Sequence, residues 1–119
     1  MSPIADTLRE LRRAAGVKGA AVVTADGLIA AAELDERFSS DVVAGLSSYL
    51  LMTTNRSLAE AGLGTTGRFE LHATHGRAVF VALGEAYLVV LLDQFADVDG
   101  SRAEIQEAAL RIRRTTRVG

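Results

Sequence analysis

The sequence predicts an α+β domain of element order αββαβββα: a five-stranded antiparallel sheet with a long middle helix on one face and the two terminal helices on the other. Three observations predict it. Tight-turn signals join short apolar runs at several points, which favours hairpins over parallel crossovers. The last three strands are apolar on both faces, so both faces need a cover. Three segments with helical spacing are available to supply it. At 119 residues the chain has the length of one domain, residues 1–119.

Each element has a local reason. Ser2-Pro3 opens the first helix, Ile4, Leu8, Leu11 and Ala15 recur at helical spacing, and Gly16 stops it. Val17–Thr24 and Ile29–Leu34 are the first two strands, and Asp26-Gly27 between them is expected to form a type I′ turn, which needs positive φ at both residues. A charged connector, residues 35–37, leads to Ser39 or Ser40, either of which caps a long helix over about residues 41–61, ended by Gly62. Strand three alternates Arg68, Glu70, His72 and Thr74 with Phe69, Leu71 and Ala73. His75-Gly76 is expected to turn the chain into residues 77–83, and Gly84-Glu85 into the apolar run Ala86–Leu92. After an acidic loop, residues 93–99, Gly100-Ser101 opens a last helix with the stripe Ile105, Ala108, Ala109 and Ile112.

Paired residues across two-residue turns share a face. One face of strands three to five therefore carries Phe69, Leu71, Ala73, Ala78, Phe80, Ala82, Tyr87, Val89 and Leu91, and the other Val79, Val81, Leu83, Leu88, Val90 and Leu92. On the middle helix, at 100° per residue, Val42, Val43, Leu46, Leu50, Thr53, Ser57 and Ala61 are expected to face the sheet. The opposite side should be polar in a lone domain, yet it holds Ala44, Gly45, Ser48, Leu51, Met52 and Ala59. An interface is expected there.

Composition removes several function classes. Thirteen basic against fifteen acidic side chains give a net charge of −2, with 5% aromatic residues, which disfavours a nucleic-acid binder. Disulfides, thiolate metal sites and cysteine nucleophiles are impossible, because the chain has no cysteine. The first residues interleave charges without an apolar core, so no signal peptide is expected, nor is there an apolar run long enough to span a bilayer; the cytosol is the expected compartment.

The chemical motifs resolve to ordinary structure. Gly62-Leu63-Gly64-Thr65-Thr66-Gly67 has the letters of a dinucleotide fingerprint, but it follows a helix and precedes a strand, the reverse of what phosphate binding requires. Asp97-Val98-Asp99-Gly100 resembles the middle of a calcium loop, yet Phe95 and Gln106 stand where the end ligands belong. Carboxylates there complement a helix N-terminus instead. His72 and His75 are badly spaced to share a metal, and the serines lack a nucleophile elbow. Neither an enzyme nor a resident cofactor or metal is expected. Arg12, Arg13, Arg111, Arg113, Arg114 and Arg117 make the terminal helices basic, while Glu33, Asp35, Glu36 and Asp41 make the connector acidic. Docking of an acidic partner on the arginine side is a minor reading.

The run VKGAAVVTADGLIAAAE over residues 17–33, the long Ser-rich helix ending at Gly62 and LVVLLD over residues 88–93 together resemble the Roadblock/dynein light chain domain family, in particular bacterial members similar to a gliding-motility regulator. The resemblance covers nearly the whole chain and implies a non-catalytic homodimer. In it the two sheets join edge to edge, the middle helices lie side by side, and the pair forms a platform for a Ras-like small GTPase whose hydrolysis some relatives stimulate. On this basis Leu51, Met52 and Asn55 are expected as principal GTPase contacts, with Ala44, Ser48 and Ala59 allowing close approach. Gly45, Tyr49, Met52 and Arg56 on the helix, and Arg68, Glu70 and His72 on strand three, are expected at the dimer interface. Arg56 is also the one candidate for a charge-stabilising arginine in trans, although an isolated exposed arginine usually serves solubility. The competing class is a small-ligand sensory module of profilin-like or PAS-like architecture, which needs a cavity with convergent polar groups. Ala73, Ala78 and Ala82 offer room on one sheet face but no polar cluster.

Overall fold

The computed structural model describes residues 2–116. Its elements are α1 Pro3–Leu11, β1 Val17–Thr24, β2 Ile29–Leu34, α2 Ser40–Glu60, β3 Arg68–Ala73, β4 Gly76–Ala82, β5 Ala86–Leu92 and α3 Arg102–Thr116. They run in the expected order. Ser2 caps α1 by accepting from the Ala5 amide, with proline at the first turn, and Ser39 caps α2 by accepting from the Val42 amide. At the far end of α2, Gly62 takes φ 78°, and the Gly62 and Leu63 amides close on the Ala59 and Leu58 carbonyls, the two bonds of a Schellman ending. The glycine-rich segment is thus a helix stop and a loop.

All five strands form one antiparallel sheet in the order β2-β1-β5-β4-β3. Two turns differ from expectation. Among the described residues none other than glycine has positive φ, so the β1–β2 connection is not type I′. Thr24 pairs with Leu28 instead, leaving a three-residue loop in which Gly27 alone is left-handed, at φ 88°. The Thr24 hydroxyl accepts from the Leu28 amide at 3.1 Å and bonds the Asp26 carboxylate, which holds Asp26 in the loop without a second left-handed residue. The β3–β4 turn is Thr74-His75, with Gly76 already paired to Ala73.

Phe69 lies opposite Phe80, Leu71 opposite Ala78 and Phe80 opposite Val89, which realises the expected division of the sheet into two apolar faces. One face, with Val79, Val81, Leu88 and Val90, packs under Leu8 and Leu11 of α1 and Ile105, Ala108, Ala109 and Ile112 of α3. The other, with Ala21, Val23, Phe80 and Val89, packs under Val43, Ala44 and Leu51 of α2. Among the described residues no helix is long and apolar enough to cross a membrane.

The phase of α2 corrects the sequence reading. Val43, Ala44, Ser47 and Leu51 are its buried residues and Leu50 is half-buried, whereas Val42, Leu46, Thr53 and Ser57, expected inward, are exposed. Size and hydrogen bonding decide this. The small Ala44 and Ser47 face the sheet, and the helix is locked to it by polar contacts: the Ser48 hydroxyl donates to the Ala25 carbonyl at 2.9 Å, and Asn55 donates to the Tyr87 hydroxyl at 3.0 Å while accepting from the Thr66 amide at 2.8 Å. Asn55→Ala is therefore expected to lower unfolding free energy by about 1–3 kcal/mol, read as a lower urea midpoint.

Candidate protein-interaction surface

The outward face of α2 is apolar from Val42 to Met52. Val42 is 66% exposed, Leu46 55%, Tyr49 62% and Met52 53%. Together with the exposed Gly45 and Arg56, the residues Val42, Gly45, Tyr49, Met52 and Arg56 follow steps of three, four, three and four, the spacing at which one helix seats against another. Gly45 has nothing within 4 Å of an added Cβ, so a backbone can approach there. A lone domain gains nothing from four large apolar side chains held in water on one helix.

The expected contact residues divide into groups. Gly45, Tyr49, Met52 and Arg56 lie together on this exposed face. Ala44 and Leu51 do not: both are core residues under α2, because a helix phase that puts Val43 and Ser47 inward carries them inward as well. They cannot serve as outer contacts. Ser48 and Asn55 are half-buried and committed to the bonds described above, while Ala59 is exposed on the same flank as Met52, seven residues on. Val42 and Leu46 were missed as surface residues, although the repeating three-four spacing through Val42 was present to be read.

The second group is at the sheet edge. β3 ends the sheet, and Arg68, Glu70 and His72 project from it on the face that carries α3. Glu70 is their centre, with Arg68 at 3.1 Å, His72 at 3.6 Å and Arg102 of α3 at 3.9 Å. One Arg68 guanidinium nitrogen, Nη2, is buried without a hydrogen-bond partner. Arg102 also bonds Asp99 at 2.8 Å, and that guanidinium holds the Asp99 carboxyl below the usual carboxylate range. The small stabilisation this gives is present above the ordinary carboxylate pKa and is lost as pH falls through the lowered value. So the acidic loop serves the start of α3 and its neighbouring edge.

The basic terminal helices are partly answered within the chain. Arg9 lies 3.6 Å from Glu33 and Arg12 3.8 Å from Asp35, Arg111 pairs with Glu10, and Arg113 is engaged as well. Arg117 lies outside the described residues. On the α2 side of the sheet, Phe69 stacks on Phe80 with centroids 4.6 Å apart and Ala78 is buried, which leaves packed side chains where a ligand module needs a chamber. A groove of about 820 Å³ does run between the hairpin tips near Asp26 and Glu85, but it is open to solvent. His, Asp and Glu side chains form no group of three suited to a metal among the described residues.

The domain is thus a five-stranded antiparallel sheet covered by helices on both faces, with an exposed apolar stretch on α2 and a charged free edge at β3. The family model of the Roadblock/LC7 domain matches residues 3–92, and the chain belongs to that family. An uncharacterised protein of Methanocaldococcus jannaschii is 33% identical over 106 residues, covering 89% of this chain and 93% of the relative. Myxococcus xanthus MglB superposes with a TM-score of 0.87 at 15% identity, covering 94% of this chain and 86% of that one. A Roadblock/LC7 domain from Streptomyces avermitilis superposes with a TM-score of 0.85 at 19% identity, covering 96% and 98%. At these identities the two structures speak for the fold. Because the relatives include an archaeal protein, the likeness does not assign this chain to bacteria.

Proposed function

We propose that this Roadblock/LC7 domain is a non-catalytic cytoplasmic regulator or scaffold that works as a homodimer and binds a Ras-like small GTPase. The observation that carries the proposal is the exposed face of α2, where Val42, Gly45, Tyr49, Met52 and Arg56 are spaced for a second helix. Two copies of this face bury each other's apolar side chains. The flank beside that seam, where exposed Ala59 allows close approach and Met52 stands at the border with the seam, then becomes the GTPase platform, and the Met52 side chain is adaptable enough to suit a surface that changes with its nucleotide. The domain itself turns over no nucleotide in this reading: its only glycine-rich segment stops a helix, and no lysine follows it.

The test uses the small GTPase that copurifies with the tagged protein, loaded with a GTP analogue or with GDP. Wild type is expected to retain it in a nucleotide-dependent way. Ala59→Arg, at an exposed position, is expected to keep dimer mass and melting temperature while weakening GTPase binding by about tenfold or more, the loss typical of a blocked contact. Unchanged binding by that variant would move the platform off α2.

A further inference from the structure

One end of the sheet is β3; the other is β2, an edge that the function proposed above leaves unused. The Asp35 amide donates to the Lys18 carbonyl at 3.1 Å. By the alternation of an antiparallel ladder, Asp35, Glu33 and Ala31 then turn their main chain toward β1, and Ala32 and Leu34 turn theirs outward. Because β2 is a terminal strand, no strand of this chain meets those outward amides and carbonyls. β2 reads Ile-Ala-Ala-Ala-Glu-Leu and carries neither lysine nor proline, the residues that commonly blunt an exposed edge. Its one irregularity is the bulge at Ala30, which leaves residues 31–34 in regular register with β1. Ala32 is exposed, so only a methyl group stands beside an approaching backbone. What satisfies such a row of donors and acceptors is another extended chain, and antiparallel is the slightly more stable direction.

The flanking side chains choose the chemistry of that chain. On the face covered by α2 the edge presents exposed Ala32 and half-buried Leu34, opposite Ala21 and Gly19 of β1. Residues of an added strand that lie opposite them meet a thin apolar surface and have room to be large. On the other face stand Glu33 and, one alternation on, Asp35. Arg9 approaches Glu33 at 3.6 Å but is held by Asp6 at 2.8 Å, and Arg12 lies 3.8 Å from Asp35. Three carboxylates thus share two arginines, and Glu36 follows directly in the chain. A cation in an added strand is drawn to this side of the edge, and a carboxylate is repelled.

We propose that the β2 edge binds an extended basic segment of another protein, paired antiparallel, with bulky apolar residues opposite Ala32 and Leu34 and lysine or arginine opposite Glu33 and Asp35.

The probe is a phage-displayed library of random decapeptides. Those retained by the wild-type protein are expected to alternate bulky apolar residues with lysine or arginine, and, as synthetic peptides, to slow hydrogen exchange at the Ala32 and Leu34 amides. Replacing their basic residues by glutamate is expected to abolish binding. Ala32→Pro deletes one outward amide and no bond of the β1 ladder, a place where an edge strand tolerates proline. It is expected to melt cooperatively and to weaken the peptides about tenfold or more. If that variant does not fold, the exchange pattern of the wild type decides alone, and protection anywhere but Ala32 and Leu34 overturns the site. A library without binders, peptides held equally by folded Ala32→Pro, or retained peptides rich in acidic residues each overturn the proposal. So does a fall in the mass of the protein alone on Ala32→Pro, which would assign the edge to a second copy of this chain.

Discussion

Tyr49→Asp is expected to turn the proposed homodimer into a folded monomer with a mass near 12.6 kDa by light scattering at tens of micromolar. Tyr49 sits mid-way along the exposed line of α2, four residues after Gly45 and three before Met52. In a paired arrangement its environment is another α2, and a carboxylate there must either shed its water without a partner or hold the helices apart. Desolvating an unpaired charge costs several kcal/mol as an order of magnitude, and the symmetry of a homodimer imposes that cost twice. The fold has no such objection, since Tyr49 is exposed in the single chain. Far-ultraviolet circular dichroism should therefore be unchanged while the mass halves. A variant that remains dimeric at the same concentration would place the seam elsewhere.

Leu51→Asp is expected to abolish the folded state, and Met52→Asp, one residue along, to preserve it. Leu51 is 3% exposed and packs in the cluster of Ala21, Val23, Phe80 and Val89, while Met52 is 53% exposed. Removing a buried leucine side chain costs about 2–5 kcal/mol before any charge is considered. Adding an unpaired carboxylate in the same place adds several more, and the sum rivals the roughly 5–15 kcal/mol that holds a domain together. Thermal melts followed by circular dichroism should show no cooperative transition for Leu51→Asp and a near wild-type one for Met52→Asp. If Leu51→Asp melts cooperatively near the wild-type temperature, α2 is rotated from the phase described here.

These neighbouring positions mark where the sequence stops being legible. Both were expected on the outer face because α2 lacks the polar stripe that normally sets a helix phase: Val42 and Val43, Leu50 and Leu51, and the small residues around Gly45 make every side of its first turns tolerable inside. Of the residues expected at contacts, Gly45, Tyr49, Met52 and Arg56 lie together on the exposed side, and Ala44 and Leu51 belong to the core. The type I′ turn failed for a related reason. Asp26-Gly27 reads as a hairpin signal at short range, but the Thr24 hydroxyl, which bonds both Asp26 and the Leu28 backbone, favours the longer loop with one left-handed residue.

What the sequence determined by itself was the element order, the Ser2 cap of α1 and the Gly62 stop of α2, the layer arrangement and the sorting of strand residues between two faces, whereas α1 ends at Leu11, short of the stop expected at Gly16. A strand has a period of two, so each residue has only two choices, and short turns tie one strand's choice to the next; Phe69, Phe80 and Val89 could not be separated once the turns were placed. Tertiary structure alone decided which side of α2 is inside. A helix can rotate continuously about its axis, and where apolar side chains surround it the burial energy is nearly flat against that rotation. Specific contacts then set the angle: Ser48 on the Ala25 carbonyl, Asn55 between Tyr87 and Thr66, and small Ala44 and Ser47 against the strands. Those contacts join residues far apart in the chain, and no local pattern records them.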